Sequence, residues 1–448
     1  MSYIPISDQD KKEMLAAIGV KSIEELFNCI PESIRLKGLL NLPGSLSEAE
    51  ILGYFKEKGN KNSYNRYLSF LGGGAYDHYI PTVVDYLSSR GEFISPYTPY
   101  QPEVSQGTLQ TIFEFQTLIC QLTDLDIANA SLYDGATGAA EAVLMAQRIK
   151  NKKRLLVASN LNPQYRQVIY TYTKNLGLEV VEIPYDEMGR VDLKGLESAF
   201  NPETSVLLCQ SPNFFGVIED LKTLADLSHR HEALLAVVIS EPISLGLLEA
   251  PGKLGADIVT GEAQSFGLPL SFGGPYLGFM ASQKEFVRQL PGRIAGETID
   301  VEGRRGFVLT LSTREQHIRR EKATSNICTN QAHCALRATI YLETLGRQGL
   351  RKLAWLNLQK AAYALEQLLA IPGVSRKFSG PVFNEFVLEF PEPWKNLSQK
   401  LEDKGILGGL ALGNDYRGLD NCALITVTEK HTRENIEAYG QALREVLK

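Results

Sequence analysis

One stretch of the chain, residues 257–279, has the layout of a loop that presents a reactive side chain. It begins with a β-like run at Ile258 and Val259, and Gly273-Gly274-Pro275 leads into a second apolar run. A lysine in such a loop could hold an aldehyde cofactor as an imine, because the imine requires an amine. The loop contains no lysine, and Gln264 stands at the candidate position. Since a side-chain amide cannot form an imine, this layout lacks its nucleophile.

Glu241 is the second residue of this pattern. It follows the strand-like run 234–240, and Gln264 comes 23 positions later. In pyridoxal-phosphate enzymes an acidic residue at such a strand end keeps the pyridine nitrogen protonated, and the spacing is typical of the acid–lysine pair. Glutamate is one methylene longer than the usual aspartate, and a shift of about 1 Å can cost on the order of 10²-fold in a catalytic site. Both positions hold unsuitable residues, which indicates a degenerate cofactor pocket.

A candidate phosphate cradle lies earlier in the chain. Small residues from Gly135 to Ala140, including Thr137, lead into a predicted helix. Backbone N–H groups at a helix start can hold a phosphate. A start rich in glycine and alanine is also compatible with tight packing alone, so both interpretations stay open at this point.

Lys322 is the alternative Schiff-base lysine. It follows Arg319, Arg320 and Glu321 in a mixed-charge run, whereas a Schiff-base lysine is expected in a dry loop beside a glycine pair. A displaced lysine at this position would make the chain a self-sufficient pyridoxal-phosphate enzyme.

The elements that must position these residues divide the chain into three predicted parts. Residues 1–70 read as an N-terminal helical arm. Residues 71–330 form a large α/β domain, because strand-like and helical stretches alternate from 153 to 279, a pattern typical of a mainly parallel sheet. Residues 331–448 read as a small C-terminal α+β domain.

The totals exclude several classes of protein. The chain has 448 residues and a net charge of −6, which argues against nucleic acid or an anionic membrane as a partner. No run approaches the ~20 apolar residues of a membrane helix, and the N-terminus lacks signal or transit patterns. The six cysteines show no CxxC pairing, so we expect no metal site and a cytoplasmic location.

Several motifs together resemble one known family. They are GGGAYDHYIP, SPYTPYQPEVSQG, YDGATGAAEA, SPNFFG, GEAQSFGLPLSFGGPYLGF, REKATSNICTNQ and LALGNDYRGLDNCALITVTEKHTRE. Their combination is similar to the P-protein (glycine decarboxylase) family of the glycine cleavage system, and within it to subunit 1 of the two-chain bacterial form. The resemblance covers essentially the whole chain.

This resemblance implies the aminotransferase-like (type I) pyridoxal-phosphate fold and a heterotetramer of two subunit-1 and two subunit-2 chains. Subunit 2 is expected to carry the lysine and the cofactor, so this chain should bind no cofactor covalently. The complex is expected to decarboxylate glycine and to pass the aminomethyl group to the lipoyl arm of H-protein. Gln264 agrees with a subunit that lacks the cofactor. Glu241, where aspartate is expected in the family, should be tolerated in a degenerate pocket made of Gly135, Thr137, Glu241 and Gln264.

In this fold the loops of one chain complete the active site of its partner. We therefore expect residues 97–103 and 328–331 to face the partner's site. Their contributing side chains would be Tyr97, Tyr100, Gln101, Thr329 and Asn330. The alternative is that these loops only brace the dimer. A further alternative for the whole chain is a non-catalytic scaffold or regulator of a pyridoxal-phosphate enzyme.

Overall fold

The computed structural model describes residues 5–94, 98–327 and 330–448. The chain separates into two compact units, Met1–Tyr64 and Asn65–Lys448. The finer predicted boundaries near residues 71 and 331 stay a prediction. No described helix combines the length and the apolar character that crossing a bilayer requires.

The first unit contains helices α1 (Asp8–Ile18) and α2 (Glu48–Asn60), with 3-10 turns at Glu24–Phe27 and Glu32–Ile34. Both helices begin at a serine whose side chain accepts from the third helical N–H, while the acid at that position accepts from the serine N–H. The similar pattern at Ser22 predicts a third capped helix, and this prediction is wrong. Ile23 precedes the 3-10 turn there, without a side-chain cap.

The second unit is built around a seven-stranded sheet in the order β2-β8-β7-β6-β5-β3-β4. The strands from β3 to β7 are parallel, whereas β8 is antiparallel to β7 and β2 is antiparallel to β8. Their bounds are β2 Ile127–Ala128, β3 Arg154–Ala158, β4 Glu179–Ile183, β5 Thr204–Gln210, β6 Leu234–Ile239, β7 Ile258–Glu262 and β8 Gly278–Ser282.

Helices cover both faces of this sheet, because neighbouring residues of a strand point to opposite faces. Leu155 and Val157 of β3 belong to one buried cluster with residues of α6 and α7. Leu156 and Ala158 belong to another, with residues of α5, α9 and α11. The helices up to the end of the sheet are α3 Thr82–Ser88, α4 Gly91–Ile94, α5 Gln106–Thr123, α6 Gly135–Lys150, α7 Pro163–Thr173, α8 Leu193–Ala199 and α9 Leu221–Arg230.

The C-terminal part carries a four-stranded antiparallel sheet in the order β11-β12-β15-β14. A short strand β1 (Leu68–Ser69) pairs in parallel with β13, and β9 forms a hairpin with β10. Helix α11 contains a non-helical residue, Gly346. The bounds are β9 Ile294–Ile299, β10 Arg305–Thr310, α10 Gln316–Arg319, α11 Ala332–Leu369, β11 Ser375–Arg376, β12 Glu385–Glu389, α12 Trp394–Glu402, β13 Ile406–Leu407, β14 Leu410–Ala411, β15 Cys422–Thr426 and α13 Arg433–Val446.

Candidate functional site

Gln264 lies two residues beyond β7 and is buried, with 1% of its surface exposed. Its Oε1 accepts from the Tyr76 N–H at 2.8 Å, and its Nε2 donates to the Tyr76 carbonyl at 3.0 Å. The same Nε2 donates to the Leu268 carbonyl at 2.7 Å. The amide therefore clamps the backbone of Tyr76 by two hydrogen bonds, as a neighbouring strand would.

Glu262, at the end of β7, occupies the helix start that the sequence predicts as a phosphate cradle. One carboxylate oxygen accepts from the Gly135 N–H at 3.0 Å. The other accepts from Gln264 N–H at 3.0 Å and Leu277 N–H at 2.8 Å. Burial raises the pKa of Glu262 to about 7, and these N–H donors oppose that rise. The chain thus supplies its own carboxyl group to the N-terminus of α6.

The same helix start is closed in two further ways. Asp134 is the N-cap of α6, and its Oδ1 accepts from the Thr137 N–H at 2.7 Å. Gly135 has no room for a side chain, because a Cβ there would lie 2.5 Å from Tyr165 Oη and 2.9 Å from Glu262 Cβ. The backbone donors of Gly135 and Thr137 are therefore already used within the chain.

Glu241 is paired with a cation of its own chain. His78 Nε2 lies 2.9 Å from a carboxylate oxygen of Glu241, and His78 Nδ1 lies 2.7 Å from one of Glu429. Burial disfavours the charged imidazole, but the two carboxylates outweigh it and raise the pKa of His78 to about 10. At neutral pH His78 is an imidazolium held between two acids.

The four predicted pocket residues therefore lie along one buried network. Gly135 is bound to Glu262, whose carboxylate also accepts from the Gln264 N–H, and Gln264 clamps Tyr76. Two residues later in the chain, His78 binds Glu241. We call the residues Tyr76, His78, Glu241, Glu262 and Gln264 the sealed pocket.

The sealed pocket does not fit pyridoxal phosphate, the cofactor implied by the fold. Gln264 supplies no amine for an imine. A carboxyl group, that of Glu262, holds a backbone donor that a phosphate would use, and like charges repel. An imidazolium on Glu241 takes the acid that would hold a protonated pyridine nitrogen. Each of the three contacts that the cofactor needs is blocked by a side chain of this protein.

Four residues of this arrangement are missing from the sequence-based site: Tyr76, His78, Glu385 and Glu429. Tyr76 Oη donates to a Glu385 carboxylate oxygen at 2.9 Å, and Glu385 also accepts from the Gly73 N–H at 2.8 Å. The signal for the first two was the glycine-rich run at 72–74, which is followed by aromatic and ionisable residues. The two glutamates contact that run from 309 and 351 positions away.

The loop residues predicted to face a partner meet at a different place. Arg293 is buried, its Nη2 donates to Tyr100 Oη at 2.8 Å, and its guanidinium carbon lies 5.1 Å from the centre of that ring. Its Nη1 lies 3.5 Å from Asn330 Oδ1, while Asn330 Nδ2 donates to Ser131 Oγ at 2.7 Å. The His317 ring contacts Tyr100 edge-on, with 5.6 Å between ring centres. We call Tyr100, Arg293, His317 and Asn330 the Arg293 cluster.

The Arg293 cluster unites two of the five predicted loop residues. Tyr100 is 50% exposed, so this cluster reaches the surface. Gln101 is exposed at the start of the 3-10 turn Pro102–Val104. Tyr97 and Thr329 lie outside the described residues, and their predicted role stays a prediction. Arg293 and His317 carry no motif, which explains why the sequence did not single them out.

Lys322 has none of the surroundings of a Schiff-base lysine. It is exposed at the end of the 3-10 turn Arg320–Lys322. Within the described ranges, no group of three or more His, Cys, Asp or Glu residues is arranged to hold a metal ion.

Comparison with known proteins places the chain among close relatives. The family model described as "Glycine cleavage system P-protein" matches residues 1–443. The chain is 52% identical over 447 residues to the "probable glycine dehydrogenase (decarboxylating) subunit 1" of Moorella thermoacetica, covering 100% of both chains. It is 50% identical over 442 residues to the protein of the same name in Anoxybacillus flavithermus, covering 98% of both.

Solved structures agree. A crystal structure described as glycine decarboxylase (P-protein) of the glycine cleavage system, in inhibitor-bound form, is 43% identical and covers 100% of both chains with a TM-score of 0.90. Glutamate decarboxylase of Lactobacillus brevis is 12% identical with a TM-score of 0.71, covering 94% of this chain and 97% of that one, and shows likeness of fold alone. The predicted fold class, an aminotransferase-like (type I) fold with a mainly parallel sheet, is confirmed.

Proposed function

Because the chain belongs to the glycine cleavage system P-protein family, we propose that it is the subunit of glycine dehydrogenase (decarboxylating) that carries no cofactor. The sealed pocket is the observation that carries this proposal. Its lysine position is an amide, its anion cradle is filled by Glu262, and its acidic residue is neutralised by His78. A chain built in this way depends on a second chain for the chemistry.

The second chain is subunit 2, in which pyridoxal phosphate is expected. The names of the relatives, which end in "subunit 1", support the existence of such a partner. The assembly is proposed to be a heterotetramer with two copies of each chain, located in the cytoplasm. Its substrate is glycine, which it decarboxylates, and the lipoyl arm of H-protein takes the remaining aminomethyl group.

The contribution of this chain to the active site is proposed to come from the Arg293 cluster. Tyr100 offers a half-exposed phenol, and Arg293 fixes the direction of that phenol by a hydrogen bond and a cation–π contact. Asn330 is fixed by Ser131 on one side and faces Arg293 on the other. Polar groups held in this way can position a substrate or cofactor bound to the partner, as preorganised active-site groups do.

The first test is an absorption spectrum of the purified chain with pyridoxal phosphate, before and after borohydride reduction. We expect no internal-aldimine band and no reduced adduct, because the pocket lacks an amine. Addition of subunit 2 and H-protein should then release CO₂ from glycine. A reducible adduct on one lysine of the isolated chain would overturn the proposal and favour a self-sufficient enzyme. Undiminished activity of subunit 2 alone would favour a scaffold.

A second test addresses the loops. Tyr100→Phe removes the oxygen that accepts from Arg293 while keeping the ring, so kcat/KM of the assembled complex should fall about three- to tenfold, the range of one lost neutral hydrogen bond. Tyr170→Phe on α7, another exposed tyrosine, is the matched control and should have no effect. Equal activity of the two variants would leave Tyr100 a bracing residue only.

A further inference from the structure

The N-terminal unit has no interior. Within its described part, residues 5–64, no residue is buried. Its apolar side chains lie open instead, and Leu39 is 97% exposed. Monomeric proteins rarely expose contiguous apolar surface of this extent, and where they do it marks an interaction site. The exposed large apolar residues of this unit include Ile6, Met14, Ile18, Ile23, Leu26, Phe27, Ile30, Ile34, Leu36, Leu39, Leu40, Leu42, Leu46, Ile51, Leu52, Tyr54 and Phe55.

The most apolar part is the segment 34–46 together with the start of helix α2. Apart from the end of the 3-10 turn Glu32–Ile34, this segment has no helix or strand among its described residues. Its only charged residues are Arg35 and Lys37. Leu36, Leu40 and Leu42 are 64%, 65% and 71% exposed. An extended leucine-rich segment with so little charge is suited to lie against an apolar surface.

Local interactions alone do not account for the order of this unit. Helices α1 and α2 have 11 and 13 residues, and isolated helices of that length are marginal in water even with good caps. Their serine caps and capping boxes fix where each helix begins. The missing stabilisation has to come from burial of the apolar side chains against another surface.

We infer that residues 34–46 and the apolar side chains of α2 form the docking surface for subunit 2, an inference that rests on the proposed function. The relatives are named as one subunit of an enzyme, so a different chain is the expected partner. The matching P-protein structure covers the whole chain, so the N-terminal unit is part of what the family shares. The number of exposed apolar residues approaches the roughly 20–30 residues that one side of a standard interface contributes.

The charge pattern argues against a membrane surface as the occupant. Helices that lie on anionic bilayers carry an excess of Lys and Arg on their polar face. Helix α2 instead has Glu48, Glu50 and Glu57 beside Lys56 and Lys58, which gives no cationic excess. A protein surface is therefore the better match for the apolar side chains of this helix.

The test uses the full chain with Leu39, Leu40 and Leu42 each changed to serine, and purified subunit 2. We expect the dissociation constant for subunit 2 to rise at least 100-fold. The unfolding midpoint of the isolated chain should stay unchanged, because these side chains are exposed in it. The control is Phe272→Ser with Val301→Ser, which are 90% and 100% exposed in the second unit and should change the dissociation constant less than threefold.

The outcomes separate this inference from the proposed function. If the wild-type chain neither binds nor activates subunit 2, the proposed function fails. If the wild type does both and the triple variant does so equally well, only the docking inference is overturned. The inference is also overturned if the variant loses self-association while binding subunit 2 normally, which would assign the surface to a second copy. A lowered unfolding midpoint with unchanged binding would likewise overturn it and assign the surface to the chain itself.

Discussion

The sealed pocket and the Arg293 cluster treat their polar groups in opposite ways. In the sealed pocket the charged side chains of His78, Glu241 and Glu262 are buried and satisfied by groups of this chain. In the Arg293 cluster Tyr100 is half-exposed, and the buried Nε of Arg293 has no hydrogen-bond partner among the described residues. The first region has its bonding capacity used up, whereas the second retains some at the surface.

This difference suggests how a binding pocket changes once its nucleophile is gone. A buried charge without a partner costs several kcal/mol, so an emptied pocket is stable only when other groups take the partners. Residues 76–78 do this by running between Gln264 and Glu241. A surface cluster is under no such pressure, because water satisfies its groups until a partner arrives.

The strongest way to break the comparison is to restore the missing amine. In Gln264→Lys the lysine can donate to the carbonyls of Tyr76 and Leu268 but cannot accept from the Tyr76 N–H, and it adds a charge at a buried position. We expect a loss of about 2–5 kcal/mol in the free energy of unfolding, measured with urea. We also expect no borohydride-reducible adduct with pyridoxal phosphate, because Glu262 and His78 still fill the pocket.

The matched control is Gln167→Lys, the same change at an exposed position of α7, which should shift the free energy of unfolding by less than about 0.5 kcal/mol. An adduct at position 264 with unchanged stability would mean that the pocket is open rather than sealed.

The pH dependence of stability sharpens the comparison. His78 has a pKa of about 10 in the folded chain against an ordinary value of 6.5, so its contribution is fully present below pH 6.5 and is lost as the pH rises towards 10. Between pH 7 and 9 it should lower the free energy of unfolding by up to about 1.4 kcal/mol per pH unit. Urea unfolding of His78→Gln over this range should lack that slope.

Glu262 has the same sign but a lower window. Its pKa is raised to about 7 from 4.5 by burial, so its effect on stability falls mainly between pH 4.5 and 7, outside the measured range. His231→Gln, a change outside the sealed pocket, is the control and should keep the wild-type slope. Equal slopes in wild type and His78→Gln would show that His78 is not held as an imidazolium.

The smallest expected effect tests the other half of the comparison. Arg293→Lys keeps the charge but loses the flat guanidinium that reaches Tyr100 and Asn330 together. We expect kcat/KM of the assembled complex to fall roughly tenfold, equivalent to about 1.4 kcal/mol. Arg288→Lys, at an exposed position nearby in sequence, should leave kcat/KM unchanged. If Arg293→Lys changed only the stability of the isolated chain, the cluster would be structural and the contrast between the two regions would disappear.

Much of the fold could be read from local pattern. The strand-like runs predicted at 155–158, 179–183 and 234–239 lie within the strands β3, β4 and β6 of the structure. The last predicted strand, at 276–279, begins later, as β8 at Gly278–Ser282. Periodicity and residue type report which residues are buried, so elements that are buried on both faces were the easiest to find.

The sequence by itself also determined that residue 264 is an amide and that its loop lacks a lysine. It did not determine what fills the vacated pocket. His78 meets Glu241 across 163 positions and Glu429 across 351, while Arg293 meets Tyr100 across 193. Local periodicity carries no information on which distant side chains will meet, because that depends on how the whole chain returns to the edge of the sheet. The missing nucleophile was therefore visible in the sequence, and the groups that replaced the cofactor contacts were decided by the tertiary structure.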